Sequence, residues 1–137
     1  KENGMDIDDE LICPMNDDIE YYSMENGYAV TSALLDKRKD VTAIFAISDV
    51  LAVGACRAIK DKGLMIPKDI AVAGYDGIQI GRQIEPQLTT LRQNTEKMGA
   101  KAAESLIEII EGGGKKDIQR IVVEGEVFEG KTVKKLT

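Results

Sequence analysis

Two apolar runs, each closing on an acidic residue with a helix-like stretch between them, constrain this chain more than anything else in it. The first reads TAIFAISD and ends at Asp49; the second reads DIAVAGYDG and ends on the turn Tyr75-Asp76-Gly77. Residues 50–63 between them are rich in Ala and Gly, with Gly63 as a left-handed stop and Pro67 shortly beyond. A strand–helix–strand unit sets its strands parallel, so both carboxyl ends open on one edge of the sheet. Open α/β sheets bind ligands at that edge. Ser48, Asp49 and Asp76 are therefore expected around one crevice suited to a small polar molecule.

The alternation continues on both sides. Strands are expected at 11–15, 42–47, 69–74, 88–92 and 118–124, the last followed by 126–128. Helices are expected at 23–39, 50–62 and 95–111, with one or two helical turns at 78–84. In the first helix Met24, Tyr28, Thr31 and Leu35 share a face, and Ser23 can cap the first turn. The run 42–47 is almost continuously apolar, which predicts a central strand buried on both faces. In the last helix Met98, Ala102, Leu106, Ile109 and Ile110 form the apolar stripe, Asn94 is the cap, and three glycines at 112–114 end it. The fold class is α/β, a mainly parallel sheet flanked by helices.

Composition removes several functions. There is no histidine, which takes away the commonest general base and metal ligand. The two cysteines, Cys13 and Cys56, suggest neither a disulfide framework nor a zinc site and read as buried free thiols. The glycine triplet lacks the Lys-Ser/Thr sequel of a phosphate loop. A receiver-type phosphoacceptor centred on Asp49 lacks a convincing acidic metal pair and lysine. No catalytic residue, cofactor or metal is expected. Residues 1–25 carry nine acids against one lysine, whereas the other 112 residues hold 17 basic and 15 acidic side chains. Such a chain is not expected to hold a phosphate backbone unaided. No run reaches the roughly 18 apolar residues of a membrane span. The opening Lys1-Glu2-Asn3-Gly4 has neither an initiating Met nor a signal segment and reads as an interior start.

Residues 27–77 (GYAVTSALLDKRKDVTAIFAISDVLAVGACRAIKDKGLMIPKDIAVAGYDG), then PQLTTLRQ and MGAKAAESLIEII, resemble the C-terminal half of the effector-binding core of LacI/GalR-type transcriptional regulators. The most specific piece is Pro86 to Gln93. The resemblance implies a periplasmic-binding-protein-like core of two α/β subdomains with a small effector, a sugar by default, in the cleft between them. Residues 11–93 and 118–137 would then belong to the C-terminal subdomain, with its first strand absent, and 94–113 to a helix crossing to the N-terminal one. It also implies a cytoplasmic homodimer that meets operator DNA only through a helix-turn-helix headpiece outside these residues. The rival is a binding component of a sugar uptake system, against which Leu88 to Gln93 argue.

The resemblance carries roles to particular positions. Asp76 matches the aspartate of a G-[YF]-D turn that holds ligand hydroxyls, a task suited to a charged acceptor. Ser48 stands where relatives more often have Asn, with Asp49 capping the following helix and contacting ligand secondarily. Gln93 ends a crossover strand at a position of polar ligand contact. Tyr22 falls where an aromatic stacks on a sugar or base ring. The helix 50–62 and the turns at 78–84 lie where relatives dimerise.

Overall fold

The structure, a computed structural model, describes Gly4, Asp6 and residues 8–112 and 120–134. Its elements run α1 (Met24–Lys37), β1 (Ala43–Phe45), α2 (Asp49–Asp61), β2 (Ala71–Asp76), α3 (Gln79–Gln83), β3 (Thr89–Arg92), α4 (Thr95–Glu111) and β4 (Glu126–Phe128), preceded by a short 3₁₀ turn at Asp9–Leu11. The sheet order is β1-β2-β3-β4. β1–β2 and β2–β3 are parallel, and β4 returns antiparallel to β3.

Helix ends follow local chemistry. Ser23 accepts the Asn26 N–H at 3.0 Å and Asn94 accepts that of Lys97 at 3.0 Å, each satisfying an orphan donor of its first turn. Gly63, at φ +74, closes α2. The core, centred on Leu35, Cys56, Ile59, Ile70, Val72 and Leu88, lies between α1, α2 and one face of the sheet. In α1 the buried face is Asn26, Gly27, Thr31 and Leu35, so Thr31 and Leu35 lie inward as expected while Met24 is half exposed.

The helices touch backbone to backbone. A Cβ added at Gly27 would lie 2.2 Å from the Leu51 carbonyl oxygen, and one at Gly54 2.1 Å from that of Met24. The small residues of α2 thus serve its packing on α1 and the sheet.

Three strand expectations are corrected. The run 42–47 forms only a three-residue strand, and it is an edge strand: Phe45 is 64% and Ile47 55% exposed. Among the described residues β1 pairs with β2 alone, so apolar continuity here did not mean two-sided burial. Where a strand was expected at 11–15, Leu11 ends the 3₁₀ turn and 12–15 are irregular, with no ladder of their own. They flank an apolar slot of about 510 Å³ whose other wall is β1 and whose floor includes Val30, Leu34, Leu51 and Ala55. Of the strand expected at 118–124, residues 118 and 119 lie outside the described residues, and 120–124 are irregular, so pairing starts only at Glu126.

No residue of α4 is buried, and Leu106 and Ile110 are 58% and 68% exposed. Its stripe is present but nothing covers it among the described residues. Arg38, at the end of α1, holds Asp8 at 2.8 Å and Asp40 at 2.8 Å, tying the acidic leader down. That grip lowers the Asp40 carboxyl to about 2.

Cys56 is buried as expected, whereas Cys13 is exposed. Burial pushes the Cys56 thiol up to about 11, so it stays protonated across physiological pH and only a thiolate alkylates. Iodoacetamide at pH 8 should modify Cys13 alone in the folded chain, and both thiols once urea unfolds it. Mass spectrometry of the labelled peptides checks this.

Candidate functional site

Parallel pairing brings the ends of β1, β2 and β3 to one edge. Ser48, Asp76 and Gln93 follow or close these strands, so the sheet gathers them there. Asp76 and Gln93 are in direct contact: the Gln93 amide Nε2–H donates to Asp76 Oδ1 at 2.7 Å, and the Gln93 backbone N–H donates to the Asp76 carbonyl at 3.2 Å. Among the described residues Oδ2 of Asp76 takes no hydrogen bond, and Asp76 is partly exposed. The pair therefore presents acceptors: the second carboxylate oxygen and the amide oxygen of Gln93. Such an arrangement suits a ligand bearing O–H or N–H donors.

The turn carrying Asp76 is strained. Asp76 has φ +117, a region that residues with a Cβ rarely enter, at a cost of about 1–3 kcal/mol. Gly77 follows at φ +74, and a Cβ there would lie 2.5 Å from Cβ and Cγ of Arg92. The turn is held by its surroundings rather than by its own preference.

Asp49 has no exposed surface. Its Oδ2 accepts the Ile78 N–H at 2.8 Å and its Oδ1 the Thr90 hydroxyl at 2.6 Å. Both oxygens face protein, so the expected secondary ligand contact has no route here. Capping of α2 falls to Ser48, whose Oγ accepts the Val50 N–H at 3.2 Å. Ser48 is only 5% exposed, which leaves its hydroxyl at the margin of the crevice.

Tyr22 is 60% exposed and meets Tyr21 edge-on, with ring centroids 6.2 Å apart. No hydrogen bond joins it to Asp76, Ser48 or Gln93. It lies on a loop fixed by Asn26, a residue the sequence reading passed over. Fully buried Asn26 accepts the Asn16 N–H at 2.8 Å and donates to the Asn16 carbonyl at 2.9 Å. Thr90 was passed over too. Its signal is a hydroxyl two residues after the buried Leu88, at a position of β3 where burial demands a partner.

Two cavities flank this region. Gln93 opens on a polar hollow of about 240 Å³, shared with Arg92, Asn94, Thr95, Glu96 and Glu126. The larger slot beside β1 is apolar, and its buried amide, Asn26, is already committed. The chemistry belongs to the strand ends. Among the described residues no acidic or cysteine cluster could hold a metal ion, and no helix is long and apolar enough to cross a membrane.

Comparison with known proteins agrees with this geometry. Residues 2–133 match the family described as periplasmic binding protein-like domain. The HTH-type transcriptional regulator MalR of Clostridium butyricum is 38% identical over 128 residues, which cover 93% of this chain and 36% of MalR. Among solved structures, a transcriptional regulator CelR–cellobiose complex superposes with a TM-score of 0.81 at 32% identity, covering 96% of this chain and 38% of that one. The lac repressor dimer bound to operator and the anti-inducer ONPF gives 0.73 at 30% identity, covering 81% and 38%. The chain spans about a third of the length of the curated relatives it matches.

Proposed function

Because the chain belongs to the periplasmic-binding-protein-like family of LacI-type regulators, we propose that it is the effector-sensing part of such a regulator. The observation that carries this is the strained Asp76, paired with Gln93 at the shared carboxyl edge of β2 and β3. A sugar is the favoured effector. Its vicinal hydroxyls are the donors that an acceptor pair wants, and the CelR relative is a cellobiose complex. Asp76 and Gln93 make the direct contacts, Tyr22 supplies a ring face, and Ser48 contributes at the margin. Catalysis is no part of this role.

Residues 11–93 and 118–137 then belong to one subdomain, and 94–113 to a helix that crosses to a second. The uncovered stripe of α4 supports this assignment, since an apolar helix face of that kind ordinarily packs on something. The apolar slot between residues 11–15 and the edge of β1 supports a further strand of the same sheet there. Effector-driven closure of the two subdomains would alter how a cytoplasmic homodimer presents its helix-turn-helix headpieces to operator DNA.

The test is calorimetric titration of the full-length polypeptide with cellobiose, maltose, lactose, ribose and the purine bases. One of them should bind, and Asp76→Ala should weaken that binding at least about 100-fold, as expected for loss of two hydrogen bonds to a charged acceptor. An Asp76→Ala protein that binds as tightly as the parent rules the site out. Binding of a purine with the same dependence on Asp76 keeps the site and changes the ligand class.

A further inference from the structure

We propose that Asp49 is the positioning residue of this site: by holding Ile78 and Thr90 together it fixes how Asp76 and Gln93 stand toward each other, without reaching the ligand. That Asp76 and Gln93 are ligand groups rests on the function proposed above; the coupling among these side chains does not.

The contacts form a closed ring. From Asp76 the chain passes through Gly77 to Ile78, whose N–H is bound by Asp49 Oδ2 at 2.8 Å. The other oxygen of Asp49 binds the Thr90 hydroxyl at 2.6 Å. Three residues along β3 and just beyond it stands Gln93, whose amide returns to Asp76 at 2.7 Å. One rigid carboxylate therefore sets two distances at once, one to the turn after β2 and one to β3. Neither an apolar side chain nor a single hydrogen bond could do this.

The surrounding sequence makes room for that group. A Cβ at Gly74 would lie 2.4 Å from Asp49 Oδ1, and one at Gly81 3.6 Å from Oδ2. The charge is met without a cation: no ion pair joins Asp49 to the described residues, and the carboxylate sits in the first turn of α2, at the positive end of the helix. A buried carboxylate without a counter-ion is a costly way to fill a core. Its two bonds supply the reason for keeping it. The strain at Asp76 supplies a second, because a turn at φ +117 persists only where its exit is tied down.

Amide hydrogen exchange on the chain of residues 1–137 tests this without any ligand. In Thr90→Val, the Ile78 and Gln93 amides should exchange at least about tenfold faster, while those of Ile59 and Val72 in the core stay within about threefold. Thr90→Ser should restore the parent rates, since it keeps the hydroxyl. Asp49→Asn should fall between, because its amide can still serve one partner on each side. Unchanged exchange at Ile78 and Gln93 overturns the proposal. So does a uniform rise at all four amides, which would make the ring ordinary core packing. Either result leaves the ligand role of Asp76 standing, and an Asp76→Ala variant with undiminished affinity leaves the ring standing.

Discussion

Gly54→Ala should destabilise the chain by about 3 kcal/mol or more, although the same change in an exposed helix interior gains about 1 kcal/mol. The reversal comes from what the new methyl group would meet. It would lie 2.1 Å from the Met24 carbonyl oxygen and 2.8 Å from the Tyr28 nitrogen, both backbone atoms of α1. A side chain could swing aside, but a helix backbone cannot, so α1 and α2 must part. Parting them opens the interface that buries Leu35 and Cys56. Gly27→Ala meets the mirror-image obstacle at Leu51 and should cost a similar amount. Once the helices have separated for one methyl, the second has room, so the double variant should lose less than the two singles combined. Urea unfolding followed by circular dichroism gives the three values. Either single variant matching the parent midpoint would refute the backbone contact.

Thr132→Val should cost about 2–6 kcal/mol despite conserving shape almost completely. Thr132 is fully buried near the end of the described chain. Its Oγ1 accepts the Thr89 N–H at 2.8 Å and donates to the Val72 carbonyl at 2.6 Å, while its own carbonyl accepts the Val72 N–H at 2.9 Å. One hydroxyl thereby satisfies backbone groups of β2 and of β3. Valine would keep the main-chain bond and leave the other two groups buried without partners, and each such orphan costs about 1–3 kcal/mol. Thr132→Ser, which keeps the hydroxyl and loses a methyl, should cost much less. If valine and serine prove equally harmless in thermal unfolding, the hydroxyl carries no such role.

Both of these residues show where sequence reasoning stops. Periodicity and end signals located the four α-helices of the described residues, because Ser23, Asn94 and Gly63 mark ends by chemistry internal to the helix. The same reading placed β2 and β3 to within a few residues, and with β2 the turn bearing Asp76, since parallel strands must finish on one side; Gln93 was singled out only by the family resemblance. It misjudged β1, because an apolar run is written the same way for a central strand and for an edge whose neighbour lies elsewhere. It could not see that Thr132 serves Val72 across 60 residues of chain. It also could not see that Gly27 of α1 and Gly54 of α2 each lie against the other helix's backbone. Those facts are set by which elements meet, and no local pattern encodes them. Asp49 is the intermediate case: its type and its place at a strand end were plain, but its orientation into the core was not.

The awkward backbone of Asp76 bears on how such a protein responds to directed evolution. Glycine accepts that conformation freely, so Asp76→Gly would relieve strain and raise heat resistance while erasing the acceptor. A library selected for thermal survival alone would drift toward a sturdier, blind sensor. Retaining aspartate against that drift requires selection on ligand response, and its persistence through mixed selections would itself record that the position is paid for by use.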